Sequence, residues 1–464
     1  CYLAPLTLFF LIGPAAAAIA TLIYATPPVI RLTAHGIRTV PATTLEATDS
    51  LGATTWQSLT QVMLPMAKRT IVLGANQTIM AALSMATITA LIAAPGLGKV
   101  VIKALQSLDV GQSVNGGLAI VVMAIVLDRV TTAASVRAQR VPKTGRDLHL
   151  RRVVVGVGAA LTAVAAYLSN TFVWAAEFPA EPTLGPTIRT WSENATEWVQ
   201  DTFAPVTNAF KDIVTAYLLD PLQALLSESP WWLALVALVC LAGVLGGRRA
   251  VVTTSICLLL IVGLGLWNDA MVTLASTLLA TIMVMAFGVV VGVWMGRSRR
   301  VDQAIRPILD AGQTLPAFVY LVPFLALFAA SRFTAIAAAL VYAAPASIKI
   351  IADGVRGLSA TTMEAAASTG ATAWQTIRLV QLPMAAKALA LGANQGIIFV
   401  LAMVVVGGLV GAGALGYDVV AGLVQGQLYG KGLAAGVAIS LLGIMLDRIT
   451  QSAARRVDPS RPRG

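Results

Sequence analysis

The stretch MEAAASTGATAWQTIRLVQLPMA, residues 363–385, is short, polar and set between two long apolar runs. A near copy, LEATDSLGATTWQSLTQVMLPMA, occupies residues 45–67. In it Glu46, Gly52, Trp56, Gln57 and Pro65 stand in the places of Glu364, Gly370, Trp374, Gln375 and Pro383, each pair 318 positions apart. Thr361 with Glu364 and Thr372 with Gln375 have the spacing of a capping box, in which two side chains satisfy each other's backbone N–H groups at a helix start; Thr43 with Glu46 and Thr54 with Gln57 repeat it. Gly370 and Gly52 fall where the first short helix ends, and glycine takes the left-handed C-cap conformation without steric cost. Pro383 and Pro65 are placed to stop the second helix before the next apolar run. The expected element is a helix, a glycine corner and a second helix, held outside the lipid. Helices of two turns are not stable alone, so each element requires something to pack against.

The surrounding chain belongs in a bilayer. Of its 464 residues 57% are hydrophobic and 11% charged, and the mean hydropathy is +0.81, too apolar for the surface of a water-soluble domain. Runs long enough to cross hydrocarbon as helices are expected near 15–32, 70–93, 116–136, 152–176, 231–247, 250–268, 270–296, 310–328, 333–351, 386–411 and 432–450, with a stump at 2–11.

The net charge of +11 does not indicate nucleic acid, because the basic residues do not gather on a soluble face with interleaved aromatics. They cluster between spans: Arg137, Arg140, Lys143, Arg146, Arg151 and Arg152; Arg248 and Arg249; Arg297, Arg299 and Arg300; Arg455, Arg456, Arg461 and Arg463. Placing all of these in the cytoplasm lets the spans alternate without contradiction, puts the C-terminus inside, and leaves the acidic segment 177–230 outside. Contact with anionic membrane lipid is a secondary reading of the same arginines. Cys1, Cys240 and Cys257 lie in apolar segments and suit packing rather than disulfides. His35 and His149 are far apart, and no metal site is expected.

The repeat reaches well beyond the opening stretch. Tyr24, Pro27, Gly36 and Arg38 recur as Tyr342, Pro345, Gly354 and Arg356, LGANQ at 73–77 recurs at 391–395, and LDR at 127–129 recurs at 446–448. Both polar stretches fall on the same membrane side in this topology, so the repeats are parallel. The expected divisions are residues 1–136, the C-terminal part of a first unit; 137–151, a basic cytoplasmic linker; 152–268, accessory spans carrying the outer segment 177–230; 269–450, a second unit; and 451–464, a basic tail. The first copy starts at Tyr2, the counterpart of Tyr320, which leads to the expectation that the chain is the C-terminal part of a longer product. In 177–230, Trp191, Trp198, Phe203, Phe210, Val214, Tyr217 and Leu218 recur at helical spacing, as one or two amphipathic helices on the membrane surface or as a loose loop.

EAAASTG followed by LPMA, with glycine six positions after the glutamate and proline thirteen after that, resembles the EAA loop of binding-protein-dependent ABC importer permeases. QTLPAFVYLVP at 313–323, LSM at 83–85 and the two LGANQ segments are similar to the glycine betaine/proline permeases within that group. The resemblance covers most of the chain, most weakly at 137–230. It implies an all-α polytopic fold of tandem type I importer (MetI-like) transmembrane domains, the first truncated at its N-terminus. It further implies a multi-pass subunit of the cell inner membrane that carries glycine betaine, proline betaine, choline or carnitine. On the same resemblance Glu46, Ala47 and Gly52, and Glu364, Ala365 and Gly370, couple the permease to ATPase subunits, two in number, and an extracellular or lipid-anchored solute-binding protein delivers the solute. The first copy departs from the second by reading Glu46-Ala47-Thr48-Asp49 against Glu364-Ala365-Ala366-Ala367, so the two sockets need not be engaged equally.

The chain has no phosphate-binding loop of its own: Gly98-Lys99 is followed by Val100 with Ala93 in place of the first glycine, and Gly430-Lys431 is followed by Gly432. ATP and Mg therefore belong to the partner, and neither a catalytic constellation nor a cofactor is expected here. Asn76, Gln77, Asn394 and Gln395 lie within spans, where amides either line a pathway or hold helices together. Tyr320 and Tyr342, like Tyr2 and Tyr24, either present rings to a quaternary ammonium or form an interfacial belt. Met85 and Met403 hold equivalent places and suit helix packing as well as a pathway. Two rival readings stand beside the importer: an ion-coupled secondary transporter built from parallel repeats, and a non-transporting membrane scaffold.

Overall fold

The structure, a computed structural model, describes residues 3–92, 94–139, 145–172 and 184–456. Tyr2, residues 140–144 of the basic linker, 177–183 of the outer segment and 457–464 of the tail lie outside the described residues. All described regular structure is helical. In chain order the helices are α1 Leu3–Phe10, α2 Pro14–Arg38, α3 Ala42–Ser50, α4 Thr55–Ile92, α5 Leu97–Gln106, α6 Val110–Gln139, α7 Gly145–Thr171 and α8 Gly185–Glu228. There follow α9 Trp231–Gly246, α10 Arg248–Gly263, α11 Trp267–Arg297, α12 Arg299–Thr314, α13 Ala317–Phe328, α14 Arg332–Arg356, α15 Ala360–Ser368, α16 at 373–384, α17 Ala386–Val410, α18 Ala414–Val424 and α19 Tyr429–Arg456. Among the described residues eight helices are long and apolar enough to cross a membrane, or ten if each of two sharply bent pairs is one span.

The chain forms two compact units, one of Cys1–Tyr24, Ala82–Ile125 and Ser192–Gly464, the other of Ala25–Ala81 and Val126–Trp191. In the larger unit α14 is the central helix, packed between α11 and α17. The alanines of its TAIAAALVYAAPASI run are small enough to let neighbouring backbones close in, and Ala335, Ala338, Ala339 and Ala343 are fully or almost fully buried. Of its most apolar window 72% is buried in protein, which marks it as core. Phe318, Leu321, Phe328 and Phe333 close the core beside it, with Phe328 and Phe333 edge to face at 4.8 Å.

One expectation is corrected. The span at 310–328 is broken: α12 and α13 meet at 102°, because Pro316 biases Leu315 to the extended conformation it adopts (ψ 136) and no helix continues through it. Arg299, Arg300, Asp302, Arg306 and Asp310 make α12 a charged helix outside the spanning segments. Of the alternatives for the outer segment, one or two amphipathic helices or a loose loop, the described residues take the helical one. Residues 185–228 form one long helix, bent at 111° into α9, whose C-terminal half is packed into the protein by Val214, Leu219 and Leu226, with Phe210 edge to face on Phe333 at 5.7 Å. Arg332 further ties this half down through Asp220, at 3.1 Å, and Gln223.

Candidate functional site

The repeated stretch folds the same way twice. In α3 and α15 the chain runs for nine residues as helix and then turns at a glycine with φ +73 at Gly52 and +71 at Gly370. The backbone closes each helix end alike. Gly52 N–H donates to Asp49 and Ala53 N–H to Thr48, while Gly370 N–H donates to Ala367 and Ala371 N–H to Ala366. This is the paired C-terminal closure that satisfies otherwise free carbonyls. The capping boxes expected at Thr54–Gln57 and Thr372–Gln375 are both formed and start the second helix in each copy. Each is worth about 1 kcal/mol of local stability.

The boxes expected at Thr43–Glu46 and Thr361–Glu364 are not formed. The helices begin earlier, with Pro41 as the N-cap residue of α3 and Ser359 as that of α15, where the Ser359 hydroxyl accepts from Thr362 N–H. Thr43 and Thr361 therefore sit inside the first turn, and Glu46 and Glu364 are exposed rather than folded back on a cap. The prolines also act differently from expectation. A turn with i→i+5 hydrogen bonds, Ser58–Met63 in one copy and Thr376–Gln381 in the other, precedes each of them. This wide turn accommodates a residue that has no N–H to donate. Through Pro65 the first copy runs unbroken to Ile92, and in the second the helix pauses only at Ala385.

Ala47, Gly52, Ala365 and Gly370 are exposed along with the two glutamates. The flanking elements present large apolar groups to solvent: Trp56 is 71% exposed, Trp374 67% and Leu51 87%. Aromatic and aliphatic bulk on an otherwise polar protrusion marks a contact surface.

The second protrusion, α15, is mounted on a polar cluster. Arg356, the last residue of α14, donates to Asp302 on α12 and to the Met295 carbonyl on α11, both at 2.9 Å. Arg306 shares Asp302, at 2.9 Å, and reaches Asp353. Arg297 donates to Gln381 at 2.7 Å, and the buried Gln381 touches the Met363 sulfur of α15. Three helices are thus fixed to one another three residues before the N-cap of α15.

The hydrogen bond from Arg356 holds the Asp302 carboxyl below its ordinary value; burial pushes it up, and Arg306 adds to the lowering through hydrogen bonding and charge. A carboxyl with a lower pKa in the folded than in the unfolded chain adds stability above its unfolded value near 4 and loses it as pH falls through the folded value. Asp302→Asn is expected to destabilise the chain by about 2 kcal/mol at neutral pH. Its Tm is also expected to fall less than that of the wild type on acidification below about pH 4. Parallel Tm–pH curves for the two proteins would count against this role.

Glycines let the helices on either side of each repeated stretch cross closely. A Cβ at Gly354 of α14 would lie 2.1 Å from that of Ala388 on α17, and in the first copy a Cβ at Gly36 of α2 would lie 2.9 Å from that of Thr70 on α4. Gly392 and Gly74, one turn further along, repeat the close approach at 3.2 Å.

The amides and rings proposed to line a path have mixed surroundings. Thr131 donates to Asn76 and Thr450 to Asn394, so each asparagine takes a hydrogen bond from a neighbouring helix within its own unit. Gln77 is exposed and Gln395 half-buried. Met403 is fully buried in the core and Met85 is 4% exposed. Tyr320 and Tyr342 meet edge to face at 5.4 Å, Tyr342 meets Phe399 at the same distance, and the Tyr320 hydroxyl donates to the Gly312 carbonyl. Tyr320 also lines an apolar cavity of about 440 Å³ with Ser113, Gly117 and Pro323. A second cavity of about 250 Å³, lined by Tyr24, Phe318, Ala402 and Val406, is bounded by neither methionine.

Besides the cluster around Asp302, sequence reasoning missed a second charged group: Lys431 lies 2.7 Å from the buried Asp418 and 4.0 Å from Asp269, joining α19, α18 and α11. The available signal was an aspartate inside the apolar ALGYDVV run.

Residues 3–138 and 285–459 each match the family model described as the binding-protein-dependent transport system inner membrane component. The chain is 30% identical, over 97% of its length and 68% of the relative's, to the trimethylamine N-oxide transport system permease protein TmoV of Ruegeria pomeroyi. It is 29% identical to the protein of the same name from Pelagibacter ubique, of which it covers 64%. Over 62% of its own length it is 36% identical to the glycine betaine/proline betaine transport system permease protein ProW of Escherichia coli. The chain therefore spans about two thirds of the length of its longer relatives. With the repeated capped helices, the glycine crossings behind them and two matched segments in one polypeptide, this chain belongs to the inner membrane components of binding-protein-dependent transport systems, with two permease units in tandem.

Proposed function

We propose that this chain forms the translocation pathway of an ATP-driven importer for small solutes bearing a methylated, positively charged nitrogen, and that separate ATPase subunits drive it through α3 and α15. The observation that carries this reading is the twice-built protrusion, capped, glycine-closed and exposed, at Ala42–Gly52 and Ala360–Gly370. Glu46, Ala47 and Gly52, and Glu364, Ala365 and Gly370, are the residues offered to the ATPase. The relatives' names, which carry trimethylamine N-oxide, glycine betaine and proline betaine, support the solute class. The ring group of Tyr320, Tyr342 and Phe399 supports it, since a quaternary nitrogen is attracted to aromatic faces. A solute-binding protein delivers the solute from outside, ATP and Mg are held by the ATPase, and the C-terminus is cytoplasmic.

The test is reconstitution of the complex in liposomes with its ATPase and receptor, followed by uptake of labelled glycine betaine and trimethylamine N-oxide. Uptake is expected only with ATP, and the receptor loaded with the transported solute is expected to stimulate hydrolysis. ATP-independent flux driven by an ion gradient would replace this reading with a secondary carrier.

A further inference from the structure

We infer that the groove between the start of α10 and the end of α19 binds the phosphate of an anionic phospholipid. Arg248 and Arg249 open α10, Arg448 and Arg455 stand two turns apart on α19, and all four line a groove of about 660 Å³. All four residues are exposed and no carboxylate lines the groove. Among the described residues none of the four forms an ion pair. Asp447, adjacent to Arg448 in sequence, is engaged instead by the Gln451 amide at 2.8 Å through each of its oxygens.

The start of α10 is charged against its own dipole. Its first turn holds two arginines and no acid, its N-cap is Gly247 at φ +76, and no side chain accepts from its free N–H groups. Positive side chains at the positive end of a 16-residue helix are unfavourable until an anion sits among them, whereas free N–H groups and guanidinium groups together suit a phosphate. Arginines at the end of α19, by contrast, already complement their helix, and Arg456 is occupied at the Val244 carbonyl of α9 at 2.8 Å. The uncompensated charge is therefore that of α10. This helix lies outside both segments matched to the family, while α19 lies inside the second, so the groove joins an unmatched helix to a matched one.

The walls of the groove select a lipid over a free anion. Val252 and Ile444 line it beside the arginines, and exposed apolar side chains continue along both helices as Ile256 and Leu259 on α10 and Val437 on α19. A phospholipid headgroup held by the arginines lays its acyl chains along this surface, and a soluble phosphate gains nothing from it.

The experiment titrates the full chain, purified in detergent, with dioleoylphosphatidylglycerol or dioleoylphosphatidylcholine and counts bound lipid by native mass spectrometry. Phosphatidylglycerol is expected to be retained in preference, with the preference shrinking as salt is raised. Arg248→Gln with Arg249→Gln is expected to weaken its binding roughly 25-fold, about fivefold per arginine, and to leave phosphatidylcholine unaffected. Arg248→Lys with Arg249→Lys retains most of the preference. Equal retention of the two lipids by the wild type overturns the proposal, as does an undiminished preference in the glutamine variant. Displacement of bound phosphatidylglycerol by millimolar glycerol phosphate also overturns it, assigning the groove to a soluble anion. If the α10 variants do not fold, the wild-type titration and Arg448→Gln with Arg455→Gln, expected to weaken binding by a similar factor, decide the matter.

Discussion

Gly354→Ala is expected to lower the stability of the chain by about 2–3 kcal/mol, and Ala388→Gly in the same chain is expected to restore most of it. The single methyl group would lie 2.1 Å from the Ala388 Cβ, a separation no pair of carbons tolerates, while the next atom of that residue, its Cα, is 3.6 Å away and in ordinary contact. Removing the opposing methyl therefore opens the space that the new one fills. A larger side chain at 354 has no such remedy, because the backbones of α14 and α17 would have to separate along the crossing. Thermal denaturation of wild type, both single variants and the double variant measures the coupling between the two positions, which is expected to approach the full cost of the first substitution. Additive effects would show that the two helices do not meet as described.

Gly370→Pro is expected to abolish solute uptake while leaving the membrane-embedded part folded. The glycine has φ +71, proline fixes φ near −65° and removes the N–H, and that N–H donates to the Ala367 carbonyl in the closure of α15. The corner cannot form, and α15 loses its aim. The site is exposed with no atom within 4 Å of a Cβ there, so the fault stays local. Gly370→Ala provides the comparison: it meets open space and incurs only the left-handed backbone strain of about 1–2 kcal/mol. Most uptake should survive it. In the reconstituted complex, ATP hydrolysis that continues without transport is the outcome expected of Gly370→Pro. Unchanged transport by this variant would remove α15 from the drive mechanism. The same pair of substitutions at Gly52 reads how the load divides between the two protrusions, whose sequences differ at Thr48 and Asp49.

Much of this architecture was legible from residue type and spacing alone. The duplication, the apolar runs, the left-handed glycines at 52 and 370 and the boxes at Thr54–Gln57 and Thr372–Gln375 all depend on contacts within a few residues, and local chemistry specifies them. The misplaced helix starts at 43 and 361 show the boundary of that method. Pro41 and Ser359 compete with Thr43 and Thr361 for the N-cap, and a Ser/Thr-rich approach supplies more than one acceptable start. Proline 316 carried a readable break signal that the hydropathy of 310–328 outweighed. The cluster of Asp302, Arg306, Asp353 and Arg356 had no signal at all, because its members lie up to 54 positions apart and meet only once α12, α14 and α11 are packed. The i→i+5 turns before Pro65 and Pro383 were equally hidden, since no residue pattern distinguishes them from an ordinary helical turn.

The glycine crossing behind α15 bears on how force is passed along the molecule. Between α14 and α17 at Gly354 there is no layer of side chains to compress or to swing between rotamers, and Ile351 and Gly392 continue the tight fit one turn away. A joint without padding has no backlash. Under the drive proposed for α15, a tug on the protrusion would be relayed to two long rods moving as one piece, rather than being dissipated in rearranged side chains at their junction.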